Sequence, residues 1–293
     1  IIILLSAICI YSIYLNKTDI KEWAKQDEEE ILGSIRDILN YGGTIEFTGN
    51  VDTKTVINSL NAHNLIKNNA IKAEKKIKER NTFDENMVYF IHNSDFRQSK
   101  IDIYVPGEKL SHKEAAQCDV FNKYFGTDMF SIVFQEIREL RSLGYAAYSY
   151  YQHDKMNRRP GNLYAFLGTQ SDKTNEAVEE MCKLILDMPE KTEKFSTSKN
   201  ALILSNAADY ITPRDIPASV ISWTDMGFDH DPRIETTNFI KETSFDDIYK
   251  FYQSKIQNRP VIIMITGNEK DIDLKALEKF GKVQKLKFKQ IYK

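Results

Sequence analysis

Apolar and polar positions along the chain fall into two kinds of pattern. Runs of β character occupy MVYFIHN (87–93), SKIDIYVPG (99–107), NLYAFLGTQ (162–170), PVIIMITG (260–267) and VQKLKF (283–288), and the polar turn SDFRQ (94–98) separates the first two. Helical periodicity fills the space between. SHKEAAQCDVFNKYF (111–125) opens with Ser111 as N-cap and Glu114 at the capping-box position. SIVFQEIRELRSLGY (131–145) aligns Val133, Phe134, Ile137 and Leu140 on one helical face, with Gly144 as the expected C-terminal cap. It runs into an aromatic strand, AAYSYY (146–151). TNEAVEEMCKLILDM (174–188) places Val178, Met181, Leu184, Ile185 and Met188 on one face. The stretch 200–256 reads as mainly helical, broken by a proline-containing connection at ITPRDIP (211–217). Strands clustered at both ends with helices between them predict an α+β fold, a mixed or antiparallel sheet with helices packed on one face.

Two segments share one design. TIEFTGN (44–50) is followed by VDTKTVINSL (51–60), and VIIMITGN (261–268) by EKDIDLKALEKF (269–280). Each is a β-rich run ending in Thr-Gly-Asn, then an acidic start and an amphipathic helix. Each also follows a helical pattern, EEEILGSIRDIL (28–39) or SFDDIYKFYQSKI (244–256). Gly49 and Gly267 stand 218 residues apart, a period that suggests duplicated domains of about 200 residues. The expected layout is the closing tail of one domain at 1–60, a charged linker at 61–85 and one complete domain at 86–293.

Composition narrows the classes of function. With 40 Lys+Arg against 42 Asp+Glu, no global field draws in nucleic acid or a membrane surface, and neither is expected as a partner. The basic run KNNAIKAEKKIKER (67–80) reads as a solvated linker helix. Cys9, Cys118 and Cys182 are too scattered for a disulfide framework, and each sits among apolar neighbours that suit a buried free thiol. The compartment stays open between cytoplasmic and periplasmic or secreted. The apolar run IIILLSAICIYSIYL (1–15) lacks a basic n-region and a cleavage site and is short for a span, so it reads as a buried helix. With no Met at position 1, the chain is expected to start inside a longer protein.

Candidate chemistry centres on residues 121–151. Arg138 lies near the end of the second helix and Tyr145 at the start of the aromatic strand. By pattern alone the first is a surface arginine and the second a half-buried strand tyrosine. The run resembles the C-terminal, metal-free part of pitrilysin/insulinase-family zinc peptidases (inverzincins). The resemblance extends to QSKI (98–101) and to the ending VIIMITGNEKDIDLKALEKFGKV, and more loosely to residue 1. It implies a metalloprotease-half fold like that of mitochondrial processing peptidase, preceded by the tail of a second copy. It also implies that Arg138 and Tyr145 form a substrate-binding pair. Gly126-Thr127-Asp128 departs from the family, where consecutive glycines are common.

A tyrosine hydroxyl can donate to a developing oxyanion and a guanidinium can clamp carbonyls, but neither activates water. In the family that task belongs to zinc held by an inverted HxxEH motif. Here His63, His92, His112, His153 and His230 include no two that are four apart, so this chain encodes no such site. The resemblance places zinc in a missing N-terminal half, with that half and a peptide substrate as the partners. The expected function is the non-catalytic, substrate-binding C-terminal region of a zinc metalloendopeptidase. Its rival is an inactive scaffold homologue, and a peptide-binding module acting alone ranks third.

Overall fold

The computed structural model describes residues 28–38, 45–62, 82–287 and 290. The chain divides into two units between Lys76 and Ile77. The expectations for 1–15, for the basic run at 67–80, and for Cys9 and His63 lie outside the described residues.

The first unit shows helices α1 (Glu28–Ile38) and α2 (Thr53–Ala62). Asp52 starts α2, its carboxylate accepting from Lys54 N and Thr55 N at 3.0 Å each. The Thr55 hydroxyl, together with those two amides, holds Asp52 below the usual carboxylate range. Residues 45–48 form no strand, which corrects the β-rich reading of TIEFTGN over its described part. Ile45 and Phe47 are exposed, and among the described residues no ladder takes up their backbone groups.

The second unit contains β1 (Met87–His92), β2 (Gln98–Pro106), α3 (His112–Phe125), a π-helical segment (Phe134–Glu139), β3 (Ala146–Gln152), β4 (Asn162–Gln170), α4 (Thr174–Leu186), α5 (Thr192–Ala208), α6 (Ile216–Asp225), α7 (Arg233–Glu242), α8 (Phe245–Lys255), β5 (Ile262–Gly267) and β6 (Lys282–Leu286). The six strands form one sheet in the order β3-β4-β2-β5-β1-β6. β3, β4, β2 and β5 pair antiparallel in turn, whereas β1 runs parallel to both β5 and β6. The sheet is therefore mixed, as the spacing of strands and helices predicts.

Alternation of side chains along each strand gives the sheet two unlike faces. Val88, Phe90, Ile101, Ile103, Ile263 and Ile265 point to one side, where Phe121 and Tyr124 of α3, Val178 and Met181 of α4 and Phe251 of α8 join them in a single core. On the other side Tyr104, Tyr164 and Phe166 are half-buried and Tyr148 and Met264 are exposed. The helices hold their register through caps. Glu114 N donates to Ser111 Oγ while Ser111 N donates to Glu114 Oε2, the capping box expected at α3, and Ser244 with Asp247 repeats it at α8.

The last expected helix is different. EKDIDLKALEKF folds as two 3₁₀ turns, Glu269–Asp271 and Ala276–Phe280. Between them the Asp273 carboxylate accepts from Lys275 N and Ala276 N, and its backbone exchanges two bonds with the Asn175 side chain. That local bonding competes with a continuous helix and lets Ile272 and Leu277 both reach the core.

Candidate substrate-binding site

SIVFQEIREL does not wind as the α-helix its period suggests. Leu140 N donates to Gln135 O, five residues back, at 2.9 Å. The wider turn carries the fourth apolar position off the stripe: Val133 and Ile137 are fully buried, whereas Leu140 is 68% exposed. The segment ends at Ser142, whose φ of 49° is left-handed. Ser142 N donates to Arg138 O at 3.1 Å and Leu143 N to Ile137 O at 3.0 Å. Ser142 therefore makes the turn expected of Gly144, and Leu143 enters the core.

Arg138 lies on this segment with its side chain 47% exposed. Its guanidinium sits 4.8 Å from the Phe134 ring centroid and its Nε 3.7 Å from the Glu139 carboxylate. Neighbouring bases are tied down more firmly. Arg141 bridges Glu136 at 2.6 Å and Glu180 at 3.1 Å, and Lys191 also binds Glu136. Burial works against the Glu136 charge, but Lys191 and Arg141 hold that carboxyl below its usual range. Arg138 alone among these three bases keeps a loose, solvent-facing partner.

Tyr145 stands at the entry to β3, 56% exposed, with its backbone N donating to Gly168 O at 3.1 Å. Its ring lies over Gly168, where a Cβ would come within 2.6 Å of Tyr145 Cε1. Gly168 follows Tyr164 and Phe166 on the open face of β4, so Tyr145 belongs to that open face. No hydrogen bond or ring contact joins Arg138 to Tyr145; the two groups flank one connection and both face solvent.

β3 is an edge strand, but over Ser149–Tyr151 its edge is already taken. Ser149 N donates to Gly126 O at 3.1 Å, Tyr151 N to Asn122 Oδ1 at 2.6 Å, and Asn122 Nδ2 to Tyr151 O at 3.0 Å. The end of α3 already covers the edge. Gly126 is required there, since a Cβ would fall 2.6 Å from Ser149 N.

The sequence reading missed the aromatic surface beside Tyr145. Tyr148 packs against Phe166 at 5.3 Å and Tyr164 at 6.2 Å between centroids, and Tyr150 against Tyr164 at 5.6 Å. Alternate aromatics in AAYSYY and NLYAF were its only signal. The described histidines have separate structural roles: His92 Nδ1 accepts from Glu269 N, His112 stacks on Phe228, burial keeps His153 below its usual pKa, and exposed His230 pairs with Asp229. Among the described residues no group of three or more His, Cys, Asp or Glu converges to hold a metal ion, so they do not fit a zinc site. Cys118 and Cys182 are buried free thiols, and burial pushes Cys182 up to about 12. Among the described residues no helix is long and apolar enough to cross a membrane.

A family model described as the peptidase M16 inactive domain matches residues 44–202, more than half of the chain. No curated protein matches. Among solved structures, the chain is similar to the peptidase M16 inactive domain from Pseudomonas fluorescens (15% identity, TM-score 0.57, covering 68% of this chain and 47% of that one). It is also similar to a protease from Helicobacter pylori (14%, TM-score 0.53, 75% and 53%). A third is complex III2 from Candida albicans with Inz-5 bound (16%, TM-score 0.54, 80% and 57%). The chain spans about half the length of these structures and shares their fold.

Proposed function

Because the chain belongs to the peptidase M16 inactive-domain family, we propose that this non-catalytic domain is the substrate-holding part of a zinc metallopeptidase that encloses peptides. The zinc-bearing half of the same protein is its partner and supplies the activated water. The layout that goes with this reading is a domain tail at 1–60, a linker at 61–85 and a complete domain at 86–293. Arg138 clamps peptide carbonyls through its forked donors, and the Tyr145 hydroxyl donates to the oxyanion that develops at the scissile carbonyl.

One observation carries the reading. Of the three bases around the π-helical segment, Arg138 alone is left with a loose, exposed partner, while Tyr145 is laid on the open sheet face at the other end of the same connection. In the full-length protein, Arg138→Ala and Tyr145→Phe are expected to lower peptide turnover by about 10²–10³, with unchanged thermal melting. Wild-type turnover in both variants would sink the assignment. A scaffold reading draws on the same family description. A full-length protein that cleaves no peptide would favour it.

A further inference from the structure

The open face of the sheet holds one acid among aromatic rings. Asp102 lies mid-strand on β2, opposite Phe166 of β4 and Met264 of β5. The Tyr164 hydroxyl donates to Asp102 Oδ1 at 2.5 Å. Burial, with Asp102 beside it, raises the Tyr164 phenol far above its usual range, so it remains a donor. Phe166 and Tyr164 both pack on Tyr148, while Tyr104, two residues on from Asp102, meets the Phe83 ring edge-on at 6.1 Å. Tyr148 and Met264 leave this bed open to solvent, at 39% and 38% exposed.

Asp102 makes no ion pair among the described residues. Lys100, the base two residues before it on the same strand face, lies over the Phe96 ring at 5.8 Å instead. Among the described residues no cation offsets this half-buried carboxylate, and aromatic faces attract cations. Together they fit a positive charge on an apolar stem, the form of an arginine or lysine side chain. Arginine fits better, because its plane stacks on rings while its fork reaches a carboxylate.

We propose that Asp102, with Tyr104, Tyr148, Tyr164 and Phe166, is a subsite for a basic side chain of the bound peptide. This rests on the peptide-binding reading of Arg138 and Tyr145. Tyr145 covers Gly168, which is two residues from Phe166 along β4 and one strand away from Asp102. At about 3.4 Å per residue and about 4.8 Å between strands, the subsite lies about 8 Å from the Gly168 position. An extended peptide covers that distance in about two residues. The basic residue therefore sits about two positions from the carbonyl that Tyr145 addresses.

The test uses fluorescence anisotropy on the full-length protein, with EDTA present to prevent turnover. The labelled peptides are identical except for one position, which is arginine, citrulline or glutamate. The arginine peptide is expected to bind about tenfold tighter than its neutral isostere citrulline, and the glutamate peptide weakest. Asp102→Asn keeps an acceptor for Tyr164 and is expected to bring the arginine-to-citrulline ratio to about one. Tyr148→Ala, at an exposed ring, is expected to cut the ratio about threefold and serves as the second variant if Asp102→Asn fails to fold. Arg138→Ala is expected to weaken every peptide alike and preserve the ratio. Equal affinities in the wild type, or a ratio that neither subsite variant changes, would overturn the subsite while peptide binding stands. Failure of every peptide to bind would overturn both readings.

Discussion

Tyr145 owes its position to Gly168. An alanine there would put Cβ 2.6 Å from the Tyr145 ring, and the ring, exposed and hinged at χ1, would be the part that moves. Gly168→Ala is expected to change stability by less than about 1 kcal/mol, because the strand tolerates the residue and the unfolded chain loses freedom. Turnover by the full-length protein is expected to drop about tenfold as the hydroxyl leaves its place. Thermal melts read against peptide cleavage check this, and full activity with an intact fold would separate the ring's placement from function. By pattern alone Arg138 and Tyr145 look unremarkable, and only the family resemblance singled them out. The structure adds a physical distinction that no local sequence holds: Arg141 and Lys191 are neutralised through Glu136, and Arg138 is not. Asp102 was illegible for a related reason. Its partner Tyr164 lies 62 residues away on another strand.

The joint between α3 and β3 shows what periodicity can and cannot reach. Ser111 and Glu114 announced the start of α3, because a capping box is a local arrangement. Nothing local announced that Asn122, three turns later, would bracket the backbone of Tyr151. Its side chain accepts from Tyr151 N at 2.6 Å and donates to Tyr151 O at 3.0 Å. The π-helical winding after α3 was hidden likewise, since five-residue bonding leaves the apolar spacing of SIVFQEIREL looking α-helical. Asn122→Ala is expected to cost about 1–3 kcal/mol, because it strands the Tyr151 N–H on a partly buried edge and leaves Tyr151 O only the weak Cys118 thiol as donor. Urea unfolding measures this directly. A loss below about 0.5 kcal/mol would mean that solvent satisfies the edge as well as Asn122 does, and the strand would then be open to pairing with another chain.

The fold closes late along the chain. β5 lies between β2 and β1 in the sheet, yet it is formed by Ile262–Gly267, well beyond the family-matched span of 44–202. Its register with β1 joins Met87 to Ile262, so the centre of the sheet waits on residues at opposite ends of the unit. Thr-Gly-Asn at 266–268 was legible as a boundary, but its central place in the sheet was not, because strand order follows from long-range pairing. β6 is a different case. It is an edge strand of five residues, none of them buried. A chain ending at Pro260 is expected to lose cooperative unfolding, since Ile263 and Ile265 leave the core and β1 loses both neighbours. A chain ending at Gly281 keeps β5 and is expected to unfold cooperatively with a lowered melting temperature. Circular dichroism melts of the two truncations distinguish the cases. Equal melting of both would mean that the sheet is organised around some strand other than β5, and that the open face bearing Tyr145 and Asp102 does not depend on it.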